Sequence, residues 1–292
     1  MNRRSFLTTL PGAAGVSLLV VPRFRIGSLL FQDEDAQICA KKFELAASQN
    51  LRTRPINEVI VEIGKSFLNT EYIAHSLEVP GEERLVINMR ALDCVLFCEN
   101  SLALACCIKK GTTTFDAYKA EIQYIRYRGG IIDRYPSRLH YFSDYIYDNE
   151  KKRVLKNVTG LIGGVPYSKT INFMSAHPES YPQLKEFPEF VEIIQRQEAE
   201  ISKRRMHHIP KDEIEKVGSK IISGDIIAIT SDIVGIDIVH TGIALWQHDK
   251  LHFMHAPNVG HKVLVTEKTL AEYLAGNPKQ IGIMVARALE PM

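Results

Sequence analysis

The sequence has no excess of charge of either sign. Its 292 residues include 36 Lys and Arg and 34 Asp and Glu, so the formal net charge is only +2. Surfaces that bind nucleic acid are usually strongly basic, because they must neutralise phosphates. We therefore predict no nucleic-acid partner. Hydrophobic residues make up 45% of the chain, which is enough for a sizeable core.

Patterns typical of metal centres are also missing. The sequence contains neither two Cys-x-x-Cys pairs nor a His-Glu-x-x-His segment. Three histidines late in the chain, His252, His255 and His261, leave a zinc-dependent site as a minor alternative. The main prediction is that the protein uses no metal and no cofactor.

Cysteine is scarce and poorly spaced for disulfides. Four of the five cysteines fall in one predicted helix, where neighbours three or four residues apart rarely have disulfide geometry. They are Cys94, Cys98, Cys106 and Cys107. We predict no disulfide framework and interpret the last three as small apolar core residues. Cys94 has surroundings that indicate a chemical role instead.

A hydrophobic run of about twenty residues, the length that a membrane-spanning helix needs, is absent. The N-terminal apolar stretch ends near Val21 and is interrupted by Pro11 and two glycines. It follows the segment Asn2 to Leu7, which matches a twin-arginine export signal. We predict that residues 1–31 are a signal and linker and that the protein works in the periplasm or outside the cell. No Ala-x-Ala cleavage site follows, so an uncleaved, membrane-tethered form stays open, as does an ordinary amphiphilic helix.

Cys94 occupies a position that favours a reactive thiol. It follows a strand-like run, 85–87, and begins a helix predicted over 94–110 from apolar residues spaced three and four apart. Asp93 is a suitable N-cap and Gly111 a suitable C-terminal stop. Because the N–H groups and dipole of a helix start favour negative charge, we expect the thiol pKa to fall below about 8.5. The same N–H groups are placed to receive an oxyanion.

His240 is the best candidate for the base that a cysteine nucleophile needs. It lies in a predicted strand, 236–246, and a turn at His248 and Asp249 connects this to a second strand, 251–256. That turn places position 255 opposite Gly242, so His255 becomes the diagonal neighbour of His240 on the same face. We predict that His255 orients His240, in the chain order cysteine, histidine, orienting residue.

The segment Asp93 to Glu99, with 102–105, resembles the nucleophile helix of papain-like cell-wall hydrolases of the NlpC type. Within them it looks most like the N-acetylmuramoyl-L-alanine amidase-like family. Other segments match in the expected order: 67–72, 83–88, 125–128, 137–142, 172–175, 224–227 and 282–287. The resemblance covers nearly the whole chain from about residue 40. Departures at Glu71, Leu96 and Cys98 concern the substrate pocket.

The resemblance implies hydrolysis of the amide that joins the lactyl group of muramic acid to L-alanine. Peptidoglycan fragments, with 1,6-anhydro-muropeptides as the favoured class, are the implied substrates. Cys94 is implied as nucleophile, His240 as base and His255 as orienting residue. Five further residues are implied to line or support the substrate site: Asp93, Tyr141, Asn88, Tyr72 and Arg138.

The order of predicted elements indicates an α+β domain over residues 32–292. Helices are predicted at 33–49, 56–69, 94–110, 114–127, 183–203, 211–220 and 267–275, and strands at 225–230, 236–246, 251–256, 262–266 and 280–287. The family resemblance implies a papain-like fold in which the nucleophile helix packs on an antiparallel sheet. The span 150–223 is interpreted as a helical insertion that builds part of the substrate groove.

Three functions stay open on the sequence alone. The first is the muramoyl-L-alanine amidase. The second keeps the same site but acts as an endopeptidase that cuts after D-glutamate in the stem peptide, or as a thioester acyl transferase. The third is a wall-binding module that has the fold without the activity.

Overall fold

The computed structural model describes residues 23–292. The predicted export signal at residues 2–21 lies outside the described residues. Within the described part of the chain, no helix has both the length and the hydropathy of a membrane span. The α-helices are α1 (Arg23–Ser48), α2 (Ile56–Lys65), α3 (Cys94–Lys110), α4 (Phe115–Arg126), α5 (Phe142–Lys151), α6 (Thr159–Ile162), α7 (Phe173–Ala176), α8 (Pro182–Glu186), α9 (Glu189–Ser202), α10 (Ile214–Val217) and α11 (Leu270–Ala275).

Eight strands in the described residues form one sheet. They are β1 (Leu155–Asn157), β2 (Val165–Tyr167), β3 (Met206–Pro210), β4 (Ile226–Ser231), β5 (Ile238–Gln247), β6 (Lys250–His255), β7 (Leu264–Val265) and β8 (Gln280–Ala288). The strand order is β2-β3-β8-β4-β5-β6-β7, and β1 also pairs with β8. These strand pairings are antiparallel. The predicted α+β class with an antiparallel sheet is confirmed.

Helix α3 is the central helix of the core. Asp93 caps it, because its Oδ1 accepts the Leu96 N–H at 2.8 Å, and Gly111 ends it with a φ of 74°. Every residue from Leu96 to Ile108 is buried. A helix that is buried on all sides belongs inside the protein, and α3 packs against α2, α4 and β5.

A buried ion pair supports α3 from the side of α4. The Arg126 guanidinium lies 2.8 Å from Glu99, and both side chains are almost fully buried. Arg126 also donates to the Val86 carbonyl at 2.5 Å. The strand predicted at 85–87 is wrong, because this segment has no strand in the structure. The Val86 carbonyl oxygen accepts its hydrogen bond from the Arg126 side chain and not from a neighbouring strand.

The β5–β6 hairpin forms as predicted. His248 and Asp249 have φ values of 49° and 59°, which define the two central positions of a tight hairpin turn. The pairing runs from Gln247↔Lys250 to Ile243↔Met254, the predicted register. A Cβ added at Gly242 would lie 2.5 Å from the Phe253 ring, so this position needs glycine.

Other elements depart from prediction in the middle of the chain. The helix predicted over 183–203 is divided into α8 and α9, since the residue before Pro188 is disfavoured in the helical region. Helix α5 and strands β1, β2 and β3 were not predicted. The span 150–223 thus contributes three short strands to the sheet in addition to helices.

Candidate active site

Cys94 begins helix α3 at the point where the helix meets strand β5. The Thr241 hydroxyl donates to the Cys94 carbonyl oxygen at 2.9 Å and fixes this contact. Cys94 is partly exposed, whereas the other four cysteines are buried, and all five are free thiols. Exposure therefore singles out Cys94 among the cysteines.

His240 and His255 contact each other on neighbouring strands. His240 Nε2 lies 2.6 Å from His255 Nδ1, and the two rings meet edge to face. The Phe253 ring stacks on His255 at 4.6 Å, and the Tyr273 ring meets it edge-on at 5.1 Å. The predicted neighbour relation between the two histidines is confirmed. The aromatic contacts hold the buried His255 ring in one orientation.

Burial keeps both imidazoles neutral. It lowers the pKa of His240 from 6.5 to about 4. For His255, burial and the neighbouring His240 together lower the pKa to about 3. At neutral pH one ring therefore donates to the other. In the tautomer in which His240 Nε2–H is the donor, His240 Nδ1 is free to accept a proton.

The expected lowering of the Cys94 pKa is wrong for the free protein. Burial, followed by the negative charge of Asp93, raises the pKa of the thiol from 9.0 to about 11. Hydrogen bonds from Thr241 act in the opposite direction but are smaller. The helix start is thus outweighed by desolvation and by its own capping carboxylate. The Cys94 thiol and the His240 imidazole are therefore both uncharged at neutral pH.

Two cavities meet at Cys94 and His240. We call the first the acidic cavity: it has a volume of about 330 Å³ and is lined by Glu78, Asp237 and an aromatic group consisting of Tyr141, Phe142, Phe173 and Tyr181. We call the second the lysine cavity: it has a volume of about 390 Å³ and is lined by Tyr72, Asn258, Tyr273, Asn277, Lys279 and Gln280. Cys94, Val239 and His240 line both cavities.

Two of the five residues expected to line or support the substrate site lie beside the thiol. Tyr72 lines the lysine cavity, and burial together with the nearby Cys94 and Asp93 raises the pKa of its phenol. Asp93 precedes Cys94, and its side chain caps α3 by accepting the Leu96 N–H. Burial raises the pKa of the Asp93 carboxyl.

Tyr141 lines the acidic cavity, but its hydroxyl is already engaged. It donates to Glu198 Oε1 at 2.6 Å and accepts the Met174 N–H at 3.0 Å. The ring is thus a wall of the cavity, and its hydroxyl joins α7 to α9.

The other two predicted residues, Asn88 and Arg138, do not line either cavity. The Asn88 side chain accepts the Arg90 and Ala91 N–H groups at 3.1 and 3.2 Å and so shapes the loop that precedes Cys94. Arg138 donates to Glu78 Oε1 at 2.8 Å. Asn88 thus supports the loop before Cys94, and Arg138 pairs with Glu78, which lines the acidic cavity.

Sequence reasoning missed several residues at the site. Thr241 and Asp237 lie in the same segment as His240, but strand alternation places both on the face opposite His240, so that pattern does not indicate them. Glu78 and Lys279 lie in irregular segments that are distant in sequence from Cys94 or His240 and from each other. No periodic pattern points to either of them.

The histidines considered for zinc are dispersed. His252 Nδ1 lies 2.9 Å from the Thr266 carbonyl oxygen. In the part of the chain that the structure describes, no three His, Cys, Asp or Glu side chains come together in a way that suits a metal ion.

The α+β fold with an antiparallel sheet, in which Cys94 and His240 share a cavity wall, is consistent with an amidase-like protein. The chain belongs to the N-acetylmuramoyl-L-alanine amidase-like (AmiA-like) family, whose model matches residues 62–283. Cys94, His240 and His255 all lie within this match. No curated protein matches the chain.

Solved structures agree with this membership. An N-acetylmuramoyl-L-alanine amidase from Bacteroides uniformis is 37% identical with a TM-score of 0.75, over 78% of this chain and 98% of that one. A Bacteroides fragilis protein, whose name proposes a xylanase, is 37% identical with a TM-score of 0.73, over 77% and 98%. A Legionella pneumophila protein at 22% identity and a TM-score of 0.70, over 90% and 97%, shares the fold.

Proposed function

We propose that the protein is a cysteine-dependent amidase that hydrolyses the bond between N-acetylmuramic acid, in its 1,6-anhydro form, and L-alanine in muropeptides. Membership of the amidase-like family supports the substrate class. The single observation that carries the mechanism is the 2.6 Å contact between His240 Nε2 and His255 Nδ1, at a cavity wall that includes Cys94. In this proposal His240 Nδ1, which is not used in that contact, serves the thiol as in papain-like enzymes.

In the proposed first step, His240 Nδ1 takes the thiol proton as Cys94 Sγ attacks the lactyl carbonyl carbon. An S–C bond forms and the carbonyl oxygen becomes an oxyanion. The C–N bond then breaks, and the imidazolium gives its proton to the departing L-alanine nitrogen. A thioester remains on Cys94.

In the second step, His240 takes a proton from water, which attacks the thioester. The S–C bond breaks, and the muramic acid leaves with a free carboxyl group. The proton held by His240 returns to sulfur, so the neutral pair is restored. His255 accepts the His240 Nε2–H throughout and keeps Nδ1 directed at the sulfur.

The oxyanion needs hydrogen-bond donors near the thiol. The Asp93 carboxylate already takes the Leu96 N–H. We assign the Cys94 N–H as one donor, because it lies at the open helix start. The Tyr72 hydroxyl, whose pKa responds to the Cys94 charge, is the second donor in this proposal.

The test is to incubate the purified protein with an anhydro-muropeptide and weigh the products. The proposed function expects a free peptide with an N-terminal L-alanine. Release of a dipeptide instead, or transfer of an acyl group to an added amine, would replace it with an endopeptidase or a transferase. Absence of turnover would favour a wall-binding module.

The location of this activity is a separate proposal. We place it in the periplasm or outside the cell, with an uncleaved, membrane-tethered form open, on the strength of the twin-arginine motif at Asn2 to Leu7 alone. Fractionation of cells that carry the intact chain or an Arg3→Lys, Arg4→Lys variant checks it. Export of both forms to the same extent would contradict this route.

A further inference from the structure

The two cavities beside Cys94 differ in charge. The charged residues that line the acidic cavity are Glu78, whose carboxylate pairs with Arg138 at 2.8 Å, and the buried Asp237, which accepts the Ser143 N–H at 2.9 Å. Among the described residues that line the lysine cavity, Lys279 is the only one with a formal charge at neutral pH. The two sides of the thiol therefore attract chemically different groups.

The acidic cavity offers hydrogen-bond acceptors and ring faces. His140 Nε2 lies 3.0 Å from the Tyr135 carbonyl, to which it must donate, so Nδ1 of the neutral ring is an acceptor. Burial, assisted by Arg138, lowers the pKa of His140 and keeps the ring neutral. Phe173 and Tyr181 add ring faces to the wall. A ligand with hydroxyl and N–H donors and an apolar face matches this surface, and an N-acetylated sugar has all of these.

The lysine cavity offers donors. Asn277 Oδ1 accepts the Lys279 N–H at 3.0 Å, so the Asn277 side-chain nitrogen is left to donate. The Asn277, Asn258 and Lys279 side chains are exposed at the cavity and are not withdrawn into the core. An ammonium group with amide donors around it suits a carboxylate.

The two halves of a muropeptide, the sugar and the stem peptide, also differ in charge. The sugar carries no net charge once its lactyl group is in the amide, whereas the stem peptide continues from L-alanine to D-glutamate and its carboxylates. We propose that the acidic cavity binds the sugar and the lysine cavity binds the stem peptide, an assignment that rests on the proposed function. In this arrangement Lys279 is a specificity-determining residue that pairs with a carboxylate of the glutamate.

The test compares two substrates that differ only in charge: 1,6-anhydro-N-acetylmuramoyl-L-alanyl-D-glutamate with free carboxyl groups and the same compound with both amidated. We expect Lys279→Met to raise KM for the first substrate roughly threefold to tenfold at low salt, as expected for an exposed ion pair, with kcat unchanged. KM for the diamide should not change. Added salt should shrink the difference for the native protein, because it screens exposed charges.

The control is Lys156→Met, since Lys156 is exposed on β1 and lines neither cavity. An equal effect of both substitutions, or an equal effect of Lys279→Met on both substrates, would overturn the assignment while leaving the amidase activity in place. If Glu78→Gln, and not Lys279→Met, changes the preference between the charged and the amidated substrate, the stem peptide binds in the acidic cavity and the sugar in the lysine cavity. If the native protein hydrolyses neither substrate, the proposed function itself fails, and the assignment falls with it.

Discussion

The first turn of helix α3 and the turn that follows it carry the same residue type in different surroundings. Cys94 and Cys98 are one turn apart, and Thr241, whose hydroxyl donates to the Cys94 carbonyl oxygen, acts to lower the pKa of both thiols. Cys98 is 1% exposed and is enclosed by the core, while Cys94 is at the wall of two cavities with His240. In the proposed mechanism, access to a cavity and a nearby imidazole, more than the thiol or the helix, therefore distinguish the cysteine that reacts.

The largest expected effect separates these two cysteines. We expect Cys94→Ala to lower kcat/KM roughly a thousandfold or more, because only oxyanion donors and binding contacts then remain. Cys98→Ala should keep activity and reduce the free energy of unfolding by about 1 kcal/mol through a small cavity. Product assays and urea unfolding measure the two effects. Equal activity losses in the two variants would remove the distinction between the turns.

A smaller effect on kcat is expected for His255, the residue in contact with the proposed base His240. His255→Ala removes the partner of His240 Nε2, and we expect kcat to fall roughly tenfold to a hundredfold, as for other residues that orient a catalytic histidine. His255→Asn should recover part of the loss, because its amide oxygen also accepts a hydrogen bond. KM should change little, since His255 is 1% exposed and lies behind His240. A loss confined to KM would argue against an orienting role.

The smallest effect tests why the Cys94 thiol stays protonated. Asp93→Asn removes the negative charge next to the thiol but keeps an N-cap, since Asn caps helices as well as Asp. The thiol pKa of about 11 should fall, and because pH 8 is below it, the thiolate fraction should rise. We expect iodoacetamide to label Cys94 roughly twofold to fivefold faster at pH 8. Slower labelling would show that the carboxylate does not hold the proton on sulfur.

Local signals made much of this site predictable. The Asp93 cap, the Gly111 stop and the two-residue turn at His248 and Asp249 fix the helix and the hairpin register, and each depends on residues adjacent in sequence. The register then brings His255 to His240, although 15 positions separate them.

The rest depends on contacts between distant segments. The pKa of the partly exposed Cys94 thiol depends on how much of the folded protein surrounds it, which no helix rule contains. Glu78 and Lys279 reach the cavities from irregular segments whose path is decided by tertiary packing. Strand β3 pairs with β8 across more than seventy residues, so its short sequence carries no signal for that partner.

The most direct test of the central claim is to trap the acyl-enzyme. The protein is mixed with an anhydro-muropeptide, quenched in acid within the first turnover, digested and analysed by mass spectrometry. The proposed mechanism predicts that the peptide containing Cys94 gains the mass of the muramoyl acyl group, and that the peptide is unmodified after complete hydrolysis. Steady turnover with the acyl group on another residue would contradict it.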